Sequence, residues 1–371
     1  MVFKKNLKPL TVGIELEIQV LDAGTLALTP RVTEILADIP SKRLTSEFFR
    51  STLEYVSSPS SDVHGLEGEF RQLHQSLIDY GREHGLVFSS GGTHPLADYR
   101  DRLITPSFRY YRLLARNQWL IRRRAVYGFH IHLGMVSPDA CIRFGNFFSH
   151  FIPHLIGLAA SSPFWQKMET GLASSRSTIF ESLPSAGLPY AAKTWKQFGR
   201  IYAALMESKS IQSAKDISWD IRPSPRWGTL ELRMCDATTL QEALAIAAWV
   251  HCLAFWYMER ESSWLIQSSK SEAWMLRENK WRAIRFGLDA AILKNKRGAL
   301  VDLRADIWRW LSKLDKYYKR LSYQKYREHL IEMLENGNSA IRQVKAFKAT
   351  KRLEDVVKMQ VAEFAAGGPR Y

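Results

Sequence analysis

Four short segments of this chain alternate apolar residues with acids, histidines or an arginine, and that alternation restricts what they can build. In "GIELEIQV", residues 13–20, Ile14, Leu16, Ile18 and Val20 share one face of a strand while Glu15, Glu17 and Gln19 share the other, because successive side chains point to opposite sides. "TLEYVS" sets Leu53 and Tyr55 against Thr52 and Glu54, and "GFHIHLGM" sets Phe129, Ile131 and Leu133 against His130 and His132. "GTLELRM" sets Leu230, Leu232 and Met234 against Thr229, Glu231 and Arg233. A solvated polar face is the ordinary outcome for one isolated strand, but such a face should carry Thr more readily than Glu. If the four faces form one concave surface, carboxylates and imidazoles converge as the ligand set of a divalent-cation site.

Parallel crossover units give near-continuous apolar strands, so alternation predicts an antiparallel or mixed sheet with helices on one side, an α+β fold. Helices are expected to open at Thr29-Pro30, to run from Ser61-Asp62 to Gly85, from Ser107 to Arg124 and from Asp139 to Ser161, and to fill almost everything beyond Leu240, on cap and periodicity signals. Trp219–Arg222 and Thr229–Met234 read as a hairpin around the loop 223–228. Neither GxxxxGK[ST] nor GxGxxG occurs, so a nucleotide must be held by other means, such as metal ions and arginines.

Hydrophobic residues make up 46% of the 371 and aromatics 12%, ample for a packed core. Fifty-two Lys and Arg against 37 Asp and Glu leave +15, which favours anionic partners and is silent on fold. Cys141, Cys235 and Cys252 lie far apart, which suggests no disulfide framework or thiolate zinc site and fits a reducing cytoplasm. The N-terminal MVFKKNLKPLTVG has no apolar stretch of leader length. The longest apolar run, Ala243 to Met258, contains His251 and is shorter than the roughly 20 residues of a spanning helix, so a buried core helix and no membrane partner are expected.

Imidazoles two apart on a strand can grip one zinc, and a metallohydrolase built on Glu15, Glu17, His130 and His132 is one alternative. Glutamates outnumber histidines in the set, which favours harder, oxygen-bound ions. Arg176, Arg222 and Arg233 lie in segments rich in Gly, Pro and Ser; their forked guanidinium groups suit carboxylate or phosphate. A basic nucleic-acid-binding protein is the other alternative, motivated by Arg122-Arg123-Arg124 and the lysine-rich helices after residue 290. No nucleic-acid motif accompanies that charge, so the helices are read as a solvated exterior or as steering anionic substrates.

"GIELEIQVLD", "STLEYVSSP", "GGTHPLADY", "GFHIHLGM", "SSPFWQKMETGLASSRS", "LPSAGLP", "WDIRPSPRWGTLELRMCDATT" and "ENKWRAIRFGLDA" follow one another from residue 13 to about residue 290. Together they resemble the bacterial glutamate-cysteine ligase type 2, or carboxylate-amine ligase, family. The resemblance implies a fold like the catalytic domain of glutamine synthetase: a curved antiparallel sheet forming a cup, helices outside, and a catalytic domain over residues 1–300. A helical C-terminal region, 301–371, is expected to pack on the same domain. It implies ATP-dependent amide formation through an acyl phosphate, with ATP, an amino acid such as glutamate and an amine such as cysteine as substrates, Mg²⁺ or Mn²⁺ as cofactor, and a link to glutathione synthesis. Homo-oligomer formation stays open.

On the same resemblance Glu15, Glu17, Glu54 and Glu231 are metal ligands, Glu47 is a further acid of the group, and one of His130 and His132 meets a metal, His132 if both point into the cup. Arg233 steadies the transferring phosphoryl group and, with Glu231, is catalytic. Arg176 is expected at an amino-acid carboxylate, Arg222 at an anionic substrate, and Arg285 at a phosphate or substrate. The chain departs from the family pattern at Ser175, Ser218 and Ser224, three positions expected to flank the substrate side, which points to a changed acceptor amine or donor acid.

Overall fold

The computed structural model describes residues 2–6, 8–268 and 273–369. Its main sheet contains β1 (Val12–Asp22), β2 (Leu44–Ser46), β3 (Thr52–Val56), β4 (Leu86–Ser89), β5 (Gly128–Gly134), β6 (Ile221–Ser224) and β7 (Thr229–Asp236). The strands run β6-β7-β5-β1-β3-β2, with β4 also paired to β1, and every pairing is antiparallel. The expected hairpin is β6–β7, with Arg222 opposite Glu231.

The helices are α1 (Val32–Asp38), α2 (Val63–His84), α3 (Phe108–Asn117), α4 (Trp119–Arg122), α5 (Pro138–Ser149), α6 (Ile152–Ala159), α7 (Ser175–Glu181), α8 (Trp195–Glu207), α9 (Leu240–Ser268), α10 (Ala273–Phe286), α11 (Leu303–Arg320), α12 (Gln324–Asn336), α13 (Ser339–Thr350) and α14 (Leu353–Ala366). Asp62 caps α2 by accepting from the Gly65 amide at 2.9 Å, and Gly85 ends it with φ +65°, a conformation that costs glycine nothing. The apolar faces of β1, β3, β5 and β7 are buried against a layer that includes α2, α6 and α9. Ala243–Met258 lies within α9. His251 in that run is a satisfied core histidine, bonded to the Tyr323 hydroxyl and the Leu10 carbonyl. Among the described residues no helix is long and apolar enough to cross a membrane.

Three expected helices are corrected. The first begins at Val32 rather than at Thr29-Pro30, because the Thr29 amide is bonded to the Val20 carbonyl and the chain there is still extended beside β1. Ser107–Arg124 is broken at Gln118, whose φ of +48° cannot continue a helix. Asp139–Ser161 is two helices, and Pro153, which lacks an amide hydrogen, stands in the first turn of the second. Beyond Leu240 a small hairpin, Ala291–Leu293 with Leu300–Asp302, interrupts the helices.

Leu303, Ile307, Leu311, Leu330, Val357 and Phe364 of the C-terminal helices share one apolar core with Ile14, Leu16 and Leu232. A polar clasp adds to this at Glu67 of α2, which accepts from Tyr326 at 2.6 Å and pairs with Lys325 and Arg71. Burial opposes the charge on Glu67, but Lys325, Tyr326 and Arg71 outweigh it and bring the carboxyl down to about 2. A carboxyl whose folded pKa is depressed contributes stability above its unfolded pKa of about 4.3 and loses it as pH falls through the folded value. Glu67→Gln is therefore expected to flatten the acid limb of the stability–pH profile between about pH 4 and pH 2, by about 1 kcal/mol because Lys325 and Arg71 are exposed. Denaturant melts over that range check it; an unchanged limb removes the clasp.

Candidate active site

Strand register brings the polar faces together. Glu15 lies opposite His130 and Glu17 opposite Glu54, while Glu231 lies opposite His132 on the other side of β5. The three strand pairings therefore set these residues side by side on one face. Glu47 joins them from the turn after β2, held there as its amide bonds to the Thr52 carbonyl and its carbonyl accepts from the Thr105 hydroxyl at 2.6 Å.

Three groups of potential ligand atoms result, each with its atoms within 4.8 Å of one another: Glu15, His132 and Glu231; Glu15, Glu54 and His130; Glu17, Glu47 and Glu54. Glu15 belongs to the first two and Glu54 to the last two, so the groups form a continuous row. Glu15 accepts from His130 Nδ1 at 2.9 Å and lies 3.2 Å from His132 Nε2. Both histidines thus point into the cup, each in a different group, and His132 Nδ1 is fixed by the Thr229 hydroxyl at 2.9 Å.

The electrostatics differ along the row. Burial opposes ionisation of Glu15, but His132 and His130 outweigh it and hold its carboxyl well below the usual range. Burial, with Glu47 beside it, pushes Glu17 up to about 7. Glu54 is raised well above its ordinary value by burial and by Glu47, Glu15 and Glu17. Burial and nearby Arg233 bring His130 down to about 4, leaving a neutral imidazole, whereas His132 is raised because Glu15 and Glu231 outweigh burial. Crowded buried carboxylates of this kind are strained as anions until a cation joins them.

Glu231 is held by two guanidinium groups. Arg222 donates from Nε at 2.9 Å and from Nη2 at 2.7 Å, and Arg233 Nη1 pairs with the other oxygen. Burial opposes the Glu231 charge, but Arg222 and Arg233 keep its carboxyl far below the usual range. Arg233 reaches this position at a β-bulge: Leu232 pairs with Ile131 and Cys235 with Phe129, so Arg233 and Met234 together oppose His130. Beyond the bulge Asp236, not Cys235, faces the cup side opposite Gly128.

A cavity of about 460 Å³ stands on this floor. It is lined by all seven expected metal-binding residues together with Arg222 and Arg233. Arg176 and Arg285 are not among its walls. Arg176 is buried on the cup side at the Gly128 end of the floor, bonded to the Arg233 carbonyl and 4.0 Å from Asp236; a Cβ on Gly128 would overlap its guanidinium, so glycine there makes the room. Arg285 is exposed on α10 and bonds to the Gly171 carbonyl. Of the three departures from the family pattern, Ser218 and Ser224 line the cavity, whereas Ser175 is buried and donates to the Ser162 carbonyl at 2.6 Å.

Sequence reading missed the opposite wall. The α3–α4 segment supplies Arg109, Tyr110, Arg116 and Arg124, and the β6–β7 side supplies Lys215 and Arg226. Only the basic density of RYYRLLARNQWLIRRR hinted at it, and no periodicity tells which arginine points inward. The buried Asp236 was also missed: it accepts from the Ser162 and Ser174 hydroxyls at 2.6 and 2.8 Å and ties those loops to the floor.

The sequence profile of Glutamate-cysteine ligase family 2 (GCS2) matches residues 11–359. A Bdellovibrio bacteriovorus protein named for glutamate–cysteine ligase 2 is 39% identical over 350 residues, which is 94% of this chain and 92% of that protein. A Frankia alni protein named for glutamate–cysteine ligase 2-1 is 36% identical over 371 residues, 97% of this chain and 96% of that one. In fold, the chain resembles the glutamate–cysteine ligase of Francisella tularensis, solved in complex with AMP, with a TM-score of 0.68 at 13% identity over 99% of this chain and 90% of that one. It also resembles a bifunctional glutathione synthetase from Pasteurella multocida, with a TM-score of 0.67 at 14% identity; there 96% of this chain spans 52% of the larger protein. These likenesses agree with the cup and its outer helices, and by the profile match and the identity to its relatives the chain belongs to glutamate-cysteine ligase family 2.

Proposed function

We propose that this ligase joins a carboxylate, the γ-carboxylate of glutamate first among candidates, to an amine such as that of cysteine, at the expense of ATP. The observation that carries the reading is the row of three ligand groups under a cavity walled by arginines. A carboxylate is a poor electrophile. Its oxygen first attacks the γ-phosphorus of ATP and ADP leaves; the amine nitrogen then attacks the acyl carbon, phosphate leaves, and the nitrogen gives up a proton. Phosphoryl transfer demands positioning and charge neutralisation more than covalent help from a protein.

Glu15, Glu17, Glu47, Glu54 and Glu231, with His130 or His132, would hold Mg²⁺ or Mn²⁺. The oxygen-rich set suits a hard cation, and the upward push on Glu17 and Glu54 is what a bound cation would relieve. When bound, such ions neutralise phosphate charge. Arg233, planar and fixed by Glu231, faces the cavity where a transferring phosphoryl group can be met, and Arg222 braces the same carboxylate. Arg176 stands at the buried end of the floor beside Glu17 and Asp236, and Arg285 stands outside the cavity.

Purified protein with Mg²⁺, ATP, glutamate and a panel of amines should form ADP and a product of the amide's mass. Turnover of model amides without nucleotide would instead favour a hydrolase. Millimolar Mg²⁺ or Mn²⁺ alone is expected to raise the melting temperature by several degrees, since about 3 kcal/mol follows from a ligand at a hundred times its Kd. No rise in a thermal-shift titration would take the cation away from this row.

A further inference from the structure

The segment ENKWRAIRFGLDA holds a buried lysine that the reaction above leaves unused. Lys280 of α10 is 3% exposed and stands outside the cavity walls. Its ammonium donates to Glu181 Oε1 at 2.5 Å and to Asp220 Oδ2 at 2.6 Å. Burial opposes the charge on Lys280, but Asp220 and Glu181 outweigh it and raise the ammonium above its ordinary pKa. A buried ionic cluster is often no more stabilising than apolar residues of the same volume; what distinguishes this one is what its two carboxylates join.

Arg233 stands in the bulge of β7, where the ladder to β5 is interrupted. Its backbone has two other anchors: the amide donates to the Asp220 carbonyl at 2.7 Å, and the carbonyl accepts from Arg176 Nη2 at 3.4 Å. Asp220 immediately precedes β6, and its own amide donates to the Gly187 carbonyl at 2.8 Å. Arg176 lies in the first turn of α7, the helix that Glu181 ends. Lys280 therefore binds the side chain of the first anchor and the last residue of the helix that carries the second. A further tie keeps α10 against the same region, because the Ala173 and Ser174 amides, just before α7, donate to the Ile284 carbonyl at 2.9 and 3.1 Å.

We propose that Lys280 is a positioning residue: from outside the cavity its ammonium clamps together the two elements that hold the Arg233 backbone, and so keeps that guanidinium in the orientation in which it meets the transferring phosphoryl group. The role given to Arg233 rests on the ligase reading above; the clamp itself does not. Misplacement of a group by about 1 Å at a reacting centre costs about a hundred-fold in rate, so slight slack at the bulge is enough to be felt.

Two variants test it. Lys280→Met removes the cation, and Lys280→Met combined with Asp220→Asn removes it without leaving the Asp220 carboxylate uncompensated; the double variant serves alone if the single one does not fold. In initial-rate assays of ADP formation, kcat should fall about a hundred-fold in both, with KM for ATP and for the amine within about three-fold of wild type. The double variant should regain melting temperature without regaining rate. A kcat within about three-fold of wild type, or a rate that recovers together with the melting temperature as for a merely structural ion pair, overturns the proposal. Hydrogen exchange reads the clamp without turnover: the Arg233 amide should exchange about ten-fold faster in the variants, while the Leu16 and Ile18 amides of β1 stay within about two-fold. No change at Arg233 overturns the proposal whatever the activity. Faster exchange there, with no ADP formed by the wild type from ATP and any acid and amine, would remove the ligase reading and leave the clamp standing.

Discussion

Glu15→Gln is expected to slow ATP-dependent ligation by about a thousand-fold. Glu15 contributes to two of the three ligand groups and is the carboxylate that both histidines touch. Glutamine keeps its shape but removes the charge that the two imidazoles meet and that a cation would share. His132, held basic partly by Glu15, should then titrate nearer its ordinary value, a shift that NMR of the imidazole would record. Initial rates of ADP formation with saturating Mg²⁺ decide the main point. A variant within about ten-fold of wild type would place the chemistry elsewhere, and a variant with an unchanged Mg²⁺-induced melting shift would separate Glu15 from the cation.

Glu231→Gln should abolish ligation and also cost about 3 kcal/mol of stability, since removing one partner of a buried ion pair leaves its charge uncompensated. Here two charges are left: Arg222 and Arg233 both turn on this carboxylate and each would face the other across a neutral amide. On the family resemblance Glu231 is a metal ligand and a catalytic residue, and its loss would spare the fold. The ion-pair geometry adds the second cost. Denaturant melts measure it, and a double variant, Glu231→Gln with Arg222→Met, should recover part of the stability but none of the activity. Full stability in the single variant would mean that the clamp contributes nothing to folding.

Much of the floor was legible because strand alternation is a local property. Glu15, Glu17, Glu54, His130, His132, Glu231 and Arg233 all stand on the side that period two assigned them. The same rule placed Gln19 on the polar face, yet Gln19 is wholly buried and donates to the Gly91 carbonyl at 2.9 Å. At that end β4 and the loop after it close over the face, which alternation cannot foresee. The rule also fails at Asp236, because the bulge after Leu232 reverses the parity of the strand's last residues. Arg176 and Arg285 show a third limit. Both lie in family-like segments, but a guanidinium on a long stem can pack behind the cavity against Gly128 and Asp236 or turn to a carbonyl in solvent.

By itself, then, the sequence determined the sides of the strands, the capped ends of α2, the buried character of α9 and the oxygen-rich chemistry of the polar face. Those depend on backbone geometry and residue type within a few positions. Tertiary structure alone decided which part of the polar face stays open, that Glu47 joins it from a turn, that Glu231 is clamped by two arginines, and that Arg109 and Arg124 close the far wall. These depend on register, on a bulge and on packing between segments distant in sequence. No local periodicity encodes such long-range contacts, which form only when the whole core is buried.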